Sequence, residues 1–490
     1  MQQDVIVIGS GLSGLTSALL LARSGRKVLV LEQHARPAPV VNGFSRQGLY
    51  FDSGFHYVGG LGKGGAFRPL FRHLGLDRKL ELFPFAADRF DQLKIVSTGE
   101  TYALPVGFAE IRRELGALFP QQREKIDRYI GEIETTWSRF PYLDLNTDIA
   151  DYAMQTVHGE SLKERLGEFA ETPELLSLLS MHSLLYGLSP EMAPFTLNAQ
   201  VAGSYYHSAH GIRGGGRALV AALLELLDEA GVEVRCGAEV TSIDAEAATV
   251  SGVTLADGEQ LQATEVVATL NPALLPQLLQ PGQLRPAYRK RLAGLKQTCS
   301  AYIVFARSAQ AIESLQKSNL FVQPQPGLLA ANPDCPLRER AYYLAAAGQE
   351  QNGGHGVIGI IPAHVDEVAD WVDAGPQRSP AYRQHKERIG AELLALFADN
   401  NPELAGLELL ELATPLTLHD YSLAPQGAVY GVGRFLGQYN PHPMTRLRGL
   451  FLSGQAIAAP GLLGTVVSSY LTCGSILGHE QLRGEIRTCH

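Results

Sequence analysis

The chain has 490 residues, 45% hydrophobic and 19% charged, enough apolar material for a large core and about two to four structural units. Its 41 basic and 50 acidic residues leave a net charge of −9 with no basic stripe, which argues against nucleic acid as the main partner. The 5 cysteines are widely spread without a CxxC pair, which argues against a disulfide framework or zinc site and fits a reducing compartment. The first strand-like run starts at Asp4 and leaves no room for a signal peptide, so a cytoplasmic location is expected.

Residues 4–8 read as a buried parallel strand, 13–24 as a helix and 27–31 as a second strand, together one βαβ unit. Residues 108–140 have helical periodicity. Phe108, Ile111, Leu115, Leu118 and Phe119 fall on one face, and Ile126, Tyr129, Ile130 and Ile133 form a second stripe after Pro120. The leucine-rich stretch 172–190 also reads as helical, either as core or as a lid over an apolar ligand. A further helix follows around Leu219–Leu227, ending near Gly231. It is succeeded by a strand from Val232, a hairpin turning at Asp257-Gly258, and a buried strand at 266–270. From 299 to 362 the pattern alternates as in an antiparallel sheet, and 380–398 is helical. Gly449–Gly478 has no charged residue. Pro460, Gly461, Gly464 and several polar side chains make it a buried strand, turn and helix rather than a membrane span. A peripheral membrane contact stays open.

The strongest chemical signal is Gly9-Ser10-Gly11-Leu12-Ser13-Gly14, which follows a strand and opens a helix. In this context the first glycine allows a tight turn, the second lets the backbone approach a pyrophosphate, and the third lets helix and strand pack closely. The helix N-terminus then presents free N–H groups and a positive dipole end to phosphates. Glu32 closes the second strand where an acidic residue accepts hydrogen bonds from a ribose and disfavours a 2′-phosphate.

Beyond Glu32 the sequence resembles the phytoene desaturase, carotenoid isomerase and retinol saturase family of flavoproteins. The resemblance covers residues 4–60, 210–271 and 414–478. It rests on Gly48-Leu49-Tyr50-Phe51-Asp52-Ser53-Gly54-Phe55-His56-Tyr57, on Gly211-Ile212-Arg213-Gly214-Gly215 before a helix, and on Thr414-Pro415 with Tyr421. It rests also on Leu450–Gln455 as a last strand and on Pro460–Thr465 as the turn opening a last helix. The His-Tyr-Val-Gly form is most similar to the retinol saturase branch.

The resemblance implies an α/β fold: a discontinuous Rossmann-like FAD-binding domain from 1–75, 205–280 and 425–490. An α+β substrate domain, an antiparallel sheet with a helical lid, would come from 76–204 and 281–424. It implies FAD held by Gly9, Ser10, Gly11, Leu12, Ser13, Gly14, Glu32, Gln33, His34, Phe44 and the backbone of Val240. At the flavin end it implies Gly454, Gln455, Gly461, Leu462, Leu463 and Thr465. His56 and Tyr57 are the catalytic candidates, and Tyr205, Tyr206 and His207, with His210 nearby, are pocket candidates. No metal is expected. One feature departs from the family: Ala38-Pro39 stands where Gly-Gly is usual, so the loop is expected to take another path or to seat the flavin differently.

The implied function is an FAD-dependent oxidoreductase acting on carbon–carbon bonds of a long apolar lipid, such as a carotenoid, retinoid, other isoprenoid or fatty acyl chain. It would be a saturase or desaturase, with saturation slightly favoured. The alternatives are a redox-neutral polyene cis–trans isomerase using reduced FAD, and a non-catalytic flavin- or lipid-binding protein.

Overall fold

The computed structural model describes residues 3–150, 157–349, 354–371 and 378–489. Gln3–Ile8 and Val28–Glu32 are parallel neighbours, in register from Val5↔Val28 to Ile8↔Leu31. The helix Leu12–Arg23 connects them. Glu233–Cys236 extends the sheet beyond Val28–Glu32, while Gln260–Ala268 and Leu450–Leu452 extend it on the other side, all parallel. The first half of Gln260–Ala268 turns back antiparallel onto Thr249–Leu255, which pairs with Val240–Glu246. Val28–Glu32 is buried along its whole length, as continuous apolar strands in parallel sheets are. The Leu12–Arg23 helix packs between the Gly215–Glu229 and Gly461–Leu477 helices. Ten consecutive residues from Leu12 to Leu21 are buried, so it needs apolar or small residues all round. This is an α/β, Rossmann-like fold.

The second sheet runs in the order Glu408–Ala413, Ser300–Ser308, His355–Ala363, Tyr342–Gln349, Asn319–Gln323, Asp91–Ile95, Thr101–Leu104. It is antiparallel except where Asn319–Gln323 and Asp91–Ile95 run parallel. Its period-2 pattern divides two cores. Tyr302, Val304 and Ala306 pack with Leu393 and Phe397 of the Pro380–Asn400 helix, whereas Ala301, Ile303 and Phe305 pack with Leu49 and Phe51. The helices Phe108–Leu118, Arg123–Trp137, Leu162–Phe169, Pro173–Ser180 and Phe195–His207 share a core with Leu93, Ile95, Phe321 and Tyr343 of this sheet.

Two sequence expectations need refinement. The 108–140 stretch is broken at Pro120 into Phe108–Leu118 and Arg123–Trp137, because proline has no N–H to continue the ladder. The 172–190 stretch is α-helical only over Pro173–Ser180, then tightens to a 3-10 turn over Met181–Leu185. Gly449–Gly478 folds as the strand Leu450–Leu452, a turn, and the helix Gly461–Leu477. Among the described residues, no helix is long and apolar enough to cross a membrane.

Candidate functional site

The glycine-rich turn joins Gln3–Ile8 to Leu12–Arg23. A Cβ at Gly14 would lie 1.9 Å from the Gly9 carbonyl oxygen, so the helix sits against the turn at a distance only glycine permits. A Cβ at Gly11 would meet nothing within 4 Å. Gly11 is the N-cap, no side chain caps the helix, and its first turn holds no acidic residue. The first-turn N–H donors have no side-chain cap and the space over Gly11 is open, which fits an anion such as a pyrophosphate.

Glu32 is buried beside this turn. Its Oε2 accepts from Ser10 N–H at 2.9 Å and Ser10 Oγ–H at 2.6 Å, and its Oε1 accepts from His34 N–H at 2.9 Å. A carboxylate offers about four acceptor positions, so a hydroxyl donor such as a ribose still has a place on Oε1. Gly237 N–H donates to the His34 carbonyl and Ala238 N–H to the Glu32 carbonyl, which brings the approach to Val240 alongside Glu32. Gln33 is exposed and His34 partly buried. Phe44 turns toward the second sheet instead, edge-on to Phe305 at 4.8 Å and beside Phe51 at 5.8 Å.

Ala38 is buried and takes the left-handed conformation, φ 44°. A non-glycine residue adopts it at a cost of about 1–2 kcal/mol. The Ala38 N–H donates to Ser10 Oγ at 2.9 Å, so the departure from Gly-Gly is absorbed by a loop tied directly to the glycine-rich turn. Tyr421 holds the outer side of that loop: its carbonyl pairs with His34 Nε2 at 3.0 Å and its hydroxyl accepts from Arg36 at 2.6 Å.

The C-terminal segment reaches the same place. Ser13 Oγ and Ser453 Oγ lie 2.6 Å apart across 440 positions, and Ser469 Oγ–H donates to the Ser13 carbonyl at 3.1 Å. Gly454 N–H is held by Ser468 Oγ at 2.8 Å. Leu462 is buried, Leu463 and Thr465 partly so, and the Gly461–Leu477 helix starts without a side-chain cap. Asp52 caps the third helix of the region, accepting from Gly216 N–H at 2.7 Å and Tyr50 Oη–H at 2.8 Å. Burial raises its carboxyl to about 6 against these two bonds and the Arg217 charge, which favour the anion. Two uncapped helix ends and an acidic strand end, brought together by buried serines, fit a dinucleotide carrying a flavin.

Beside the turn at Gln455 aromatic side chains gather around Tyr430, and the partly accessible faces of His56, Tyr205 and Tyr430 mark out a chamber. A Cβ at Gly431 would touch Gln455 Nε2 at 2.9 Å, and the neighbouring Tyr430 packs against Gly187. His56, Tyr205 and Tyr430 keep accessible surface although protein surrounds each of them, as residues facing an internal space do. Burial lowers the His56 imidazole to about 4, so it is neutral near pH 7. Burial also pushes the phenols of Tyr57, Tyr205 and Tyr343 well above their usual range, so they stay protonated. The Tyr57 and Tyr205 rings stack at 4.2 Å, and His56 lies 5.8 Å from Tyr343. A separate, mixed cavity of about 820 Å³ opens past Gly187, with Leu188, Met192 and Phe435 beside Glu191, Asp334 and Asp366 in its wall; His56, Tyr205 and Tyr430 do not line it.

Of the pocket candidates, Tyr205 faces the chamber and its two successors do not, because consecutive helical residues point about 100° apart. Tyr206 is fully buried, edge-on to Phe108 at 6.2 Å. His207 packs on Trp137 at 5.3 Å. His210 borders a separate cleft with Arg68 and Pro84. Sequence reasoning missed Asp91, His182, Asn319, Tyr343 and Tyr430. Asp91 opening the alternating strand Asp91–Ile95 and His182 in a leucine-rich stretch were the available signals.

Comparison with known proteins agrees with this geometry. The family model described as flavin containing amine oxidoreductase matches residues 12–470. An all-trans-retinol 13,14-reductase of Danio rerio is 26% identical over 532 residues, covering 98% of this chain and 87% of the relative. A 4,4'-diapolycopene oxygenase of Methylomonas sp is 24% identical over 506 residues, covering 95% and 96%. An oxidoreductase from Methanosarcina mazei shares the fold, with TM-score 0.68 at 16% identity, covering 97% of this chain and 99% of that one. The chain belongs to the flavin-containing amine oxidoreductase family, on its phytoene desaturase and retinol saturase side, and is an FAD-dependent oxidoreductase.

Proposed function

We propose that the protein adds two hydrogens across a carbon–carbon double bond of a conjugated polyene lipid, retinoid or carotenoid in type. The observation that carries this reading is the chamber of neutral polar groups and aromatic rings next to the Gln455 turn. His56, Tyr205 and Tyr430 face it; the two phenols are uncharged at neutral pH, and burial holds the His56 imidazole neutral as well. A long apolar molecule needs such a lining, with a few polar groups to fix its orientation. The retinol reductase and diapolycopene oxygenase names of full-length relatives support a polyene, and the former supports the reducing direction.

Bound FAD supplies hydride chemistry. The uncapped N-terminus of Leu12–Arg23 and Glu32 would hold its adenine half, and the Gly454–Thr465 turn its flavin half. Neutral His56 offers one donor and one acceptor nitrogen and cannot act as a cationic acid at neutral pH. Tyr57, with its hydroxyl committed to Asp91 at 2.9 Å, orients Tyr205 rather than meeting substrate. The parallel sheet and its helices would form the cofactor domain. The second sheet and the helices over it would form the substrate domain.

The test is mass spectrometry of lipids from cells with and without the protein. A polyene product heavier by two hydrogens supports the reading. A product lighter by two hydrogens means desaturation, and one of unchanged mass means isomerisation; either overturns it.

A further inference from the structure

Asp91 is completely buried at the start of its strand, yet its carboxylate accepts three hydrogen bonds. Oδ2 takes Tyr57 Oη–H at 2.9 Å and His182 Nε2–H at 2.8 Å, and Oδ1 takes Asn319 Nδ2–H at 2.8 Å. Asp91 and Asn319 are direct partners in the parallel ladder, so both side chains leave the sheet on the same face. Asn319 Oδ1 in turn accepts from Tyr343 Oη–H at 2.8 Å. One carboxylate thus anchors two phenols, Tyr57 directly and Tyr343 through Asn319.

Each anchored ring touches a group that faces the chamber. Tyr57 stacks on Tyr205 with ring planes 22° apart, and Tyr343 lies against His56. The His182 ring is nearly parallel to Tyr205 at 6.1 Å and edge-on to Phe321 at 5.6 Å. Its Nδ1 is buried without a hydrogen-bond partner. A buried carboxylate and an imperfectly satisfied imidazole are a poor way to stabilise a core, since well-packed apolar residues do as well or better. What the cluster supplies is direction: phenols that would otherwise turn within an apolar pocket are held at fixed positions.

We propose that Asp91, with His182 and Asn319, positions the two polar groups facing the chamber, Tyr205 through Tyr57 and His56 through Tyr343. This positioning sets which double bond of a bound polyene is reduced. The proposal rests on the polyene-reductase reading.

The test compares wild type, Tyr57→Phe, Tyr343→Phe and the double variant Asp91→Leu with His182→Phe, which replaces the polar cluster by apolar residues of similar shape. FAD content is expected to match wild type, while the thermal midpoint of the double variant is expected to fall, because the buried Tyr57 hydroxyl and Asn319 Nδ2–H lose their acceptor. Two readouts follow: fluorescence titration of the oxidised holoenzyme with all-trans-retinol, and product position with kcat and KM. The double variant should bind retinol at least tenfold more weakly and spread the added hydrogens over more than one bond. The phenylalanine variants should move the same way by a few-fold; they carry the test if the double variant does not fold. Variants that bind like wild type and give its single product overturn the positioning role alone. A wild-type protein that neither binds nor reduces retinol or, in parallel runs, a carotenoid overturns the reductase reading, and the positioning role with it.

Discussion

Two alanine substitutions a single helical turn apart separate folding from cofactor binding. At Gly14 an added Cβ would sit 1.9 Å from the Gly9 carbonyl oxygen, where ordinary contact needs 3.4 Å or more. The helix must move off the turn by about 1.5 Å, a form of overpacking that costs about 1–3 kcal/mol. At Gly11 the Cβ meets nothing within 4 Å, and the backbone, φ −57° and ψ 171°, suits any residue. Gly11→Ala should leave the FAD-free protein as stable as wild type, or up to about 1 kcal/mol more stable because glycine is lost from the unfolded chain. It places a methyl group where the pyrophosphate approaches the helix N-terminus, so the FAD dissociation constant should rise at least tenfold, about 1.4 kcal/mol. Denaturant unfolding of the FAD-free protein and FAD titration by flavin fluorescence read the two effects separately. If Gly11→Ala binds FAD like wild type, or Gly14→Ala leaves the FAD-free protein unchanged, this account of the turn is wrong.

Three further perturbations follow from the same geometry. Ser10→Ala removes a donor from Glu32 and orphans the buried Ala38 N–H, which should destabilise the protein by about 2 kcal/mol and weaken FAD binding; unchanged unfolding and affinity would contradict the tie. His56 titrates near 4 when folded against 6.5 when free, so its contribution is complete above pH 6.5 and is lost as the pH falls toward 4. That amounts to about 3 kcal/mol, and His56→Phe should show a correspondingly shallower acid limb in pH-dependent unfolding. Asp52 has the opposite sign: its folded value near 6 lies above 3.8, so stability is complete below 3.8 and falls as the pH rises through 6. Asp52→Asn, which can still accept from Gly216 N–H and Tyr50, should gain about 2 kcal/mol on wild type between about pH 4 and pH 7.

The parts of the site legible in the sequence were those written in local spacing. Gly9, Gly11 and Gly14 lie within one turn, Glu32 ends the next strand, and Pro460-Gly461 opens an uncharged helix; each carries its physical reason nearby. The consequence of Ala38 was not legible, because its left-handed backbone is held by Ser10 Oγ across 28 positions. Helical phase separated Tyr205 from Tyr206 and His207, and a one-residue uncertainty in that phase reassigns all three. The Asp91 cluster was invisible for a different reason. Its bonds span 34, 91 and 228 positions, and each partner alone reads as an ordinary polar residue in an apolar stretch. The two cores on either face of Ser300–Ser308 follow directly from strand alternation, whereas the parallel pairing of Asp91–Ile95 with Asn319–Gln323 depends on tertiary assembly.

The central claim is tested most directly by an anaerobic single turnover. The purified protein, with its FAD chemically reduced, is mixed with all-trans-retinol while flavin absorbance is followed and the product is weighed by mass spectrometry. The account predicts reoxidation of one flavin for each retinol that gains two hydrogens. A flavin that stays reduced while retinol and, in a second run, a carotenoid both leave with unchanged mass would contradict it, as would either losing two hydrogens to the oxidised protein.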